Sequence, residues 1–257
     1  IPYGNFDALA PAASICSSVE DMSHCLIALL DSGNYQNKNI IPYEAILKTR
    51  EPQSVIGNAY HPFNQSNYSL YGLGWELQDY EGHGLVMHNG GIDGFVTSVT
   101  LVPDENLGIV VLTNTDQNYL YEALKWEILD AYLGLPYRNY SKLYNNYFKR
   151  RAQRDNNEIK VWRDSAAMNI TPPLPLSEFT GIYENEVYGT ITIKKDAGLL
   201  KLSFEHHKNL SATLEYIGNN RFLCTYSQPL FGIKVLPFVI ERKKVRSFTL
   251  RVADFLE

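Results

Sequence analysis

The chain has 257 residues, 45% of them hydrophobic and 20% charged, with 17 Gly and 12 Pro. That composition excludes disorder, collagen and coiled coil and leaves room for one large domain or two ordinary ones. A net charge of −5 argues against a general nucleic-acid binder, and no stretch approaches the roughly 18 apolar residues of a membrane span. The charge is uneven: residues 1–136 carry 4 basic and 16 acidic side chains, 137–168 carry 8 and 3, and 169–257 carry 11 and 9. Two borders are thereby marked. Cys16, Cys25 and Cys224 are an odd number without a Cys-x-x-Cys pair, so neither a disulfide framework nor a thiolate metal site is expected. The opening residues Ile1, Pro2, Tyr3, Gly4 and Asn5 include neither an initiator Met nor a basic-then-apolar leader, and the chain reads as a piece of something longer.

Taken in order, Ser17, Ser18, Val19 and Glu20 read as a capping box, in which Ser17 takes an orphan amide and Glu20 reaches back. Val19, Met22, Leu26, Leu29 and Leu30 then recur at helical spacing up to Gly33, with Cys25 expected as a buried small hydrophobe. Pro42 opens a second helix, Tyr43 to Thr49, that ends before Pro52. Gln53 to Ser69 has no period and is expected as a long loop. Strands follow: Tyr71 to Leu77, Leu85 to Met87, a glycine-rich corner from His88 to Phe95, Val96 to Val102, and Gly108 to Asn114. Their short connections predict an antiparallel meander. Tyr119 to Leu133 reads as a closing helix with Leu120, Leu124, Ile128 and Ala131 on its apolar face.

Residues 137–168 are helical in propensity and basic, and the proline stretch Thr171 to Pro175 stiffens a linker. Beyond it, about eight short apolar-alternating runs without a helix suggest a small closed barrel. The expected fold class is α+β: a partial antiparallel sheet with flanking helices in 1–136, a helical connector and linker in 137–175, and an all-β barrel in 176–257.

No Gly-x-Ser-x-Gly elbow, phosphate-binding loop, dinucleotide fingerprint or His-Glu-x-x-His is present. His206 and His207 are adjacent, a poor arrangement for chelation, and are expected as surface histidines. What carries chemistry is the segment His88, Asn89, Gly90, Gly91, Ile92, Asp93, Gly94, Phe95. It places an imidazole at a strand end beside glycines that let a ligand or backbone come close. A plain hairpin with an Asn-Gly turn would produce the same letters.

In context the segment says more. The helix after Ala10-Pro11-Ala12-Ala13, the Tyr-Gly-Leu-Gly-Trp strand, the His-Asn-Gly-Gly corner, the Pro-Asp-Glu hairpin and the terminal helix follow one another in a telling order. That order resembles the later part of the serine β-lactamase and penicillin-binding protein superfamily, in its class C-related branch. Glu178 to Tyr183, Tyr188-Gly189 and Leu199 to Leu202 resemble the lipocalin-like barrel appended to many members. The resemblance implies that His88-Asn89-Gly90 stands for the family's Lys-Thr-Gly or His-x-Gly motif on an edge strand. His88 would then position substrate and assist proton movement, the Gly91 amide would supply an oxyanion-hole donor, and Asn89 and Gly90 would contact substrate. An edge strand suits a peptide-like substrate bound as an added strand.

One departure is large: no serine in the chain is followed three positions later by lysine, so the family's Ser-x-x-Lys nucleophile and base are missing. Tyr3-Gly4-Asn5 matches Tyr-x-Asn in letters but lies too near the Ala-Pro-Ala segment to be its equivalent. The expectation is the C-terminal fragment of a β-lactamase-related serine hydrolase, inactive alone. It would act with the N-terminal remainder of the catalytic domain on a small-molecule or peptide-like substrate, with no metal or organic cofactor, no nucleic acid and no membrane span. By the same resemblance it would be periplasmic or secreted. The rival is a catalytically dead protein that binds a peptide, glycan or lipid.

Overall fold

The computed structural model describes residues 7–57, 66–92, 94–115, 118–187 and 189–252. The Tyr3-Gly4-Asn5 match, Asp93 of the glycine-rich corner and Tyr188 lie outside the described residues. The chain divides into two compact units, one up to Arg150 and one from Arg151, and each is described by itself.

The first unit opens with a helical turn, α1 (Ala10–Ala13), and the capped helix α2 (Val19–Leu30). The cap is Ser18 rather than Ser17: Ser18 is extended, and its Oγ accepts the Asp21 amide at 3.1 Å. The serine one position nearer the helix has the backbone geometry a cap needs, and Glu20 sits inside the first turn instead of reaching back. Cys25 is exposed, against expectation, because the face of α2 that packs carries Leu26, Leu29 and Leu30. A two-stranded ribbon, β1 (Asn34–Tyr35) and β2 (Lys38–Asn39), leads to α3 (Tyr43–Thr49), whose limits match the sequence reading.

Six antiparallel strands follow in the spatial order of the chain: β3 (Ser54–Gly57), β4 (Ser69–Tyr71), β5 (Glu76–Tyr80), β6 (His83–Ile92), β7 (Phe95–Val102) and β8 (Leu107–Thr113). Two expectations are corrected here. The start of the expected loop is β3, which pairs with β4 although its four residues are exposed, so apolar alternation could not announce it. The expected strand from Tyr71 to Leu77 is broken by a turn in which the Gly72 amide bonds the Trp75 carbonyl. That turn rests on the end of α3: the Leu73 amide donates to the Thr49 carbonyl at 2.9 Å, and a Cβ on Gly72 would lie 2.3 Å from the same oxygen.

Alternation along the strands gives the sheet two apolar faces. Leu77, Val86 and Leu101 bury against Leu26 of α2. Tyr80, Leu85, Val102, Leu107, Ile109 and Val111 bury against α4 (Leu120–Tyr132) on the other face. The face of α4 that packs is not the one expected. Leu120, Leu124 and Ile128 are 51%, 38% and 41% exposed, and Ala131 is exposed as well, whereas Ala123, Lys125, Trp126, Leu129 and Asp130 are buried. Hydrophobicity misplaces the face because two charged residues are buried with partners. Asp130 accepts hydrogen bonds from the hydroxyls of Tyr80 and Tyr140, and Lys125 pairs with Glu122.

The basic connector is one helix of 28 residues, α5 (Tyr140–Ala167). The second unit continues into seven antiparallel strands in unbroken order: β9 (Gly181–Asn185), β10 (Gly189–Asp196), β11 (Leu199–Phe204), β12 (Ser211–Tyr216), β13 (Arg221–Tyr226), β14 (Ile233–Glu241) and β15 (Lys244–Phe248). They are seven rather than eight because β14 runs straight through Pro237, which pairs with Arg221 at the start of β13. The region also holds short 3-10 turns at Leu176–Phe179 and Pro229–Phe231, the first of which drops Phe179 into the core. The sheet is a nearly closed barrel: Tyr183 of β9 and Phe248 of β15, its two outer strands, have ring centroids 4.8 Å apart. Its interior is filled by side chains, with Phe222 centred 4.9 Å from Phe179 and 5.0 Å from Phe238. His206 and His207 are exposed beyond the end of β11, and Cys224 is buried, its thiol pushed up to about 12 by desolvation.

Candidate active site

The four residues singled out from the sequence all lie within β6, so the segment is extended strand and not an Asn-Gly turn. Neither Asn89 nor Gly90 has a positive φ; among the described residues of the corner, Gly94 does, at +84°. The geometry of β6 follows from the turn that starts it. Glu81 and Gly82, at φ +50° and +90°, make the mirror-image type of tight turn, and they join Tyr80 to its partner His83. In such a hairpin the flanking pair is hydrogen-bonded and the bonded pairs then alternate, so the main-chain groups of Met87 point toward β5, opposite Glu76. Asn89 and Gly91 have the same parity, but β5 pairs only as far as Glu76.

The outer half of β6 is therefore paired with β7 alone. Among the described residues no strand covers the other side of His88 to Ile92. The strand expected at the sheet's edge is the fourth of six, and the open edge arises because β5 is short. Gly91 has open space where a Cβ would stand, and its amide faces that side. At Gly90 a Cβ would lie 2.6 Å from Thr97 Oγ1 on β7, so any larger residue there has to displace that side chain.

Alternation sends His88 and Asn89 to opposite faces. Asn89 turns toward α4, where its Nδ2 donates to Glu122 Oε1 at 3.1 Å. Its side chain thus binds the scaffold and not the space beside His88. Glu122 also accepts from Lys125 Nζ at 2.8 Å and from Trp126 Nε1 at 2.9 Å. His88 is exposed. Its Nδ1 lies 2.6 Å from the Asn89 carbonyl and its Nε2 lies 2.9 Å from the Tyr71 hydroxyl. Tyr71 is a neighbour that the sequence reading placed only within a strand.

Tyr71 is held through the segment before it. Asp79 of β5 accepts hydrogen bonds from Ser66 Oγ at 2.7 Å and from the amides of Asn67 at 2.6 Å and Tyr68 at 3.2 Å, as well as from the Asn67 side chain. Partial desolvation pushes this carboxyl up, but the donors from Ser66, Asn67 and Tyr68 outweigh it and hold the group below its ordinary value. A depressed folded-state value stabilises the loop above the unfolded value of 3.8, and that contribution is lost as pH falls through the folded value. The amide signals of Asn67 and Tyr68 should therefore titrate with a midpoint below 3.8. In Asp79→Asn they should already be displaced at neutral pH. Unchanged amide shifts in Asp79→Asn would show that the carboxylate is not the anchor.

One further cluster gathers ligand-type groups among the described residues: His83, Asp104 and Glu105. His83 Nδ1 is 2.7 Å from Asp104 Oδ2 and 3.5 Å from Glu105 Oε1. The short contact is a hydrogen bond that engages the ring nitrogen a metal would need, and it ties the turn before β6 to the turn before β8.

The sequence profile of the Beta-lactamase family matches residues 2–133, just over half of the chain. The chain belongs to the Beta-lactamase family. A second profile, a domain of unknown function designated DUF3471, matches residues 165–256. The chain is similar to the "Unguisins hydrolase ungD'" of Aspergillus campestris, at 28% identity over 202 residues, covering 76% of this chain and 36% of the relative. It is also similar to "Protein flp" of Staphylococcus aureus, at 30% identity over 125 residues, covering 47% of this chain and 22% of the relative. Among solved structures it resembles an octameric penicillin-binding protein homologue from Pyrococcus abyssi, with TM-score 0.40 and 18% identity over 89% of this chain and 44% of that one. This Beta-lactamase chain thus spans about a third or less of the length of those curated relatives. None of the described helices is long and apolar enough to cross a membrane.

Proposed function

We propose that the chain is the later part of an acyl-serine hydrolase, carrying the strand along which an amide or ester substrate lies. The observation that supports this most directly is the open half of β6. There the main-chain groups of Asn89 and Gly91 are turned to the unpaired side, beside the His88 imidazole. An unpaired N–H at Gly91 is a ready donor for the oxygen of a substrate carbonyl that becomes tetrahedral, and an unpaired strand edge takes a peptide-like backbone as an added strand. The hydrolase named among the relatives supports hydrolysis as the chemistry.

The nucleophile and its base would come from outside these 257 residues, since no Ser-x-x-Lys occurs in them. By family resemblance the protein would act outside the cytoplasm. The missing Ser-x-x-Lys equally favours a binding protein without catalysis; the described barrel core, packed with side chains such as Phe179, Phe222 and Phe238, favours the hydrolase reading. The test is covalent capture. Incubated with a labelled penicillin, this chain should gain no mass, whereas a longer natural protein that includes it should form an acyl adduct and turn over p-nitrophenyl esters or amino-acid anilides. A penicilloyl adduct on this chain alone, or a longer protein that neither acylates nor hydrolyses, would sink the proposal.

A further inference from the structure

Cross-strand pairing places Tyr71, Glu76 and Met87 in one row, and directly paired residues share a face. His88 is one residue further along β6, so alternation alone would put the two rings on opposite faces. They meet nonetheless: Tyr71 Oη is 2.9 Å from His88 Nε2, and the ring centroids are 6.0 Å apart in an edge-on arrangement. The contact forms at the end of β5. The Asn89 carbonyl points to the unpaired side, and His88 turns its ring that way to place Nδ1 2.6 Å from that oxygen.

A carbonyl oxygen only accepts, so the hydrogen of a neutral His88 sits on Nδ1. Nε2 is then a lone pair, and the Tyr71 hydroxyl donates to it. Each ring nitrogen thus has one partner of defined role. We propose that Tyr71 is a positioning residue for His88: its phenol, opposite the Asn89 carbonyl, fixes the imidazole in the Nδ1–H form and holds the one Nε2 lone pair until that hydroxyl turns away and a substrate proton takes its place. A histidine that must take up a proton needs both its tautomer and its ring plane set in advance, and a second partner on the other nitrogen sets them. The pair itself rests on geometry. Its catalytic meaning rests on the hydrolase reading above.

The experiment separates the two. In the chain labelled with 15N-histidine, long-range proton–nitrogen correlations at about pH 8, where an ordinary histidine is neutral, report which nitrogen of His88 carries the hydrogen. The signal is assigned by its loss in His88→Gln. The Nδ1–H form should dominate in the native chain, and its ratio to the Nε2–H form should fall at least roughly twofold in Tyr71→Phe. The remaining histidine signals should stay in place, which shows that the fold is kept. A dominant Nε2–H form in the native chain, or the same ratio in both proteins, would overturn the proposal.

In the longer natural protein, Tyr71→Phe should lower kcat about tenfold and leave KM nearly unchanged, as the loss of a group that prepares a proton acceptor would. An unchanged kcat there would overturn the positioning role. A tautomer shift in a longer protein that hydrolyses nothing would retire the hydrolase reading and uphold the pair.

Discussion

If the chain is part of a longer hydrolase as proposed, replacing His88 by Ala there should lower kcat/KM by about 10² to 10³, the range for losing a proton-handling or electrostatic group at a reacting centre. The expected size follows from where the ring sits. The imidazole and the Gly91 amide lie on the same unpaired half of β6, so a carbonyl bound along that edge meets a hydrogen-bond donor beside a ring whose Nε2 takes up a proton once the Tyr71 hydroxyl turns away. His88 is exposed and packs no core, so the variant should unfold at nearly the native denaturant concentration. A loss of turnover without a loss of stability is the signature sought, read from steady-state kinetics and a urea titration on the same sample. If kcat/KM is unchanged, His88 is an ornament of the strand, and the open edge binds substrate without its help.

Much of this arrangement was legible in the residues and some was not, for reasons that are physical. The His88 to Gly91 segment could be singled out because an imidazole followed by small residues departs from the composition of an ordinary buried strand. Its extended form could not be told from an Asn-Gly hairpin, because the deciding fact is the pairing of Gly91 with Val96 across β7. Tyr71 escaped notice as a partner because alternation assigns it to the wrong face, and only the early end of β5 lets the rings meet. The strand β3 was hidden by its exposure, since a strand with no buried side has no period to read. The barrel strands were plain from alternation, but Pro237 divided one of them on paper; proline forgoes one ladder bond, and Arg221 pairs with it where β13 begins. On α4 the error has the deepest cause. Apolar residues occur on both sides of the helix, and the buried side is the one whose charges satisfy one another.

That buried side yields the largest stability effect expected in the chain: Glu122→Gln should destabilise the first unit by about 3–5 kcal/mol, the range for breaking a buried ion pair by removing one partner. Lys125 is 2% exposed and the Glu122 side chain 14%. Among the described residues the three hydrogen-bond partners of that carboxylate all donate: Lys125 Nζ, Trp126 Nε1 and Asn89 Nδ2. A carboxylate accepts from all of them, whereas a glutamine must turn its own NH₂ toward at least one donor and leaves the lysine charge without a counter-ion. Among the described residues Lys125 then retains the face of the Trp126 ring, 4.6 Å from Nζ, which falls short of replacing an anion. The opposite variant, Lys125→Met, should cost less, because the carboxylate keeps two hydrogen bonds and the methionine fills much of the vacated space. Urea unfolding of both variants decides the matter: a smaller loss in Glu122→Gln than in Lys125→Met would mean that the lysine, and not the carboxylate, organises this face. Because Asn89 is one of the three donors, Glu122→Gln should also disturb the strand that carries His88. In the longer hydrolase proposed above, its effect on kcat should therefore exceed what the fraction unfolded explains.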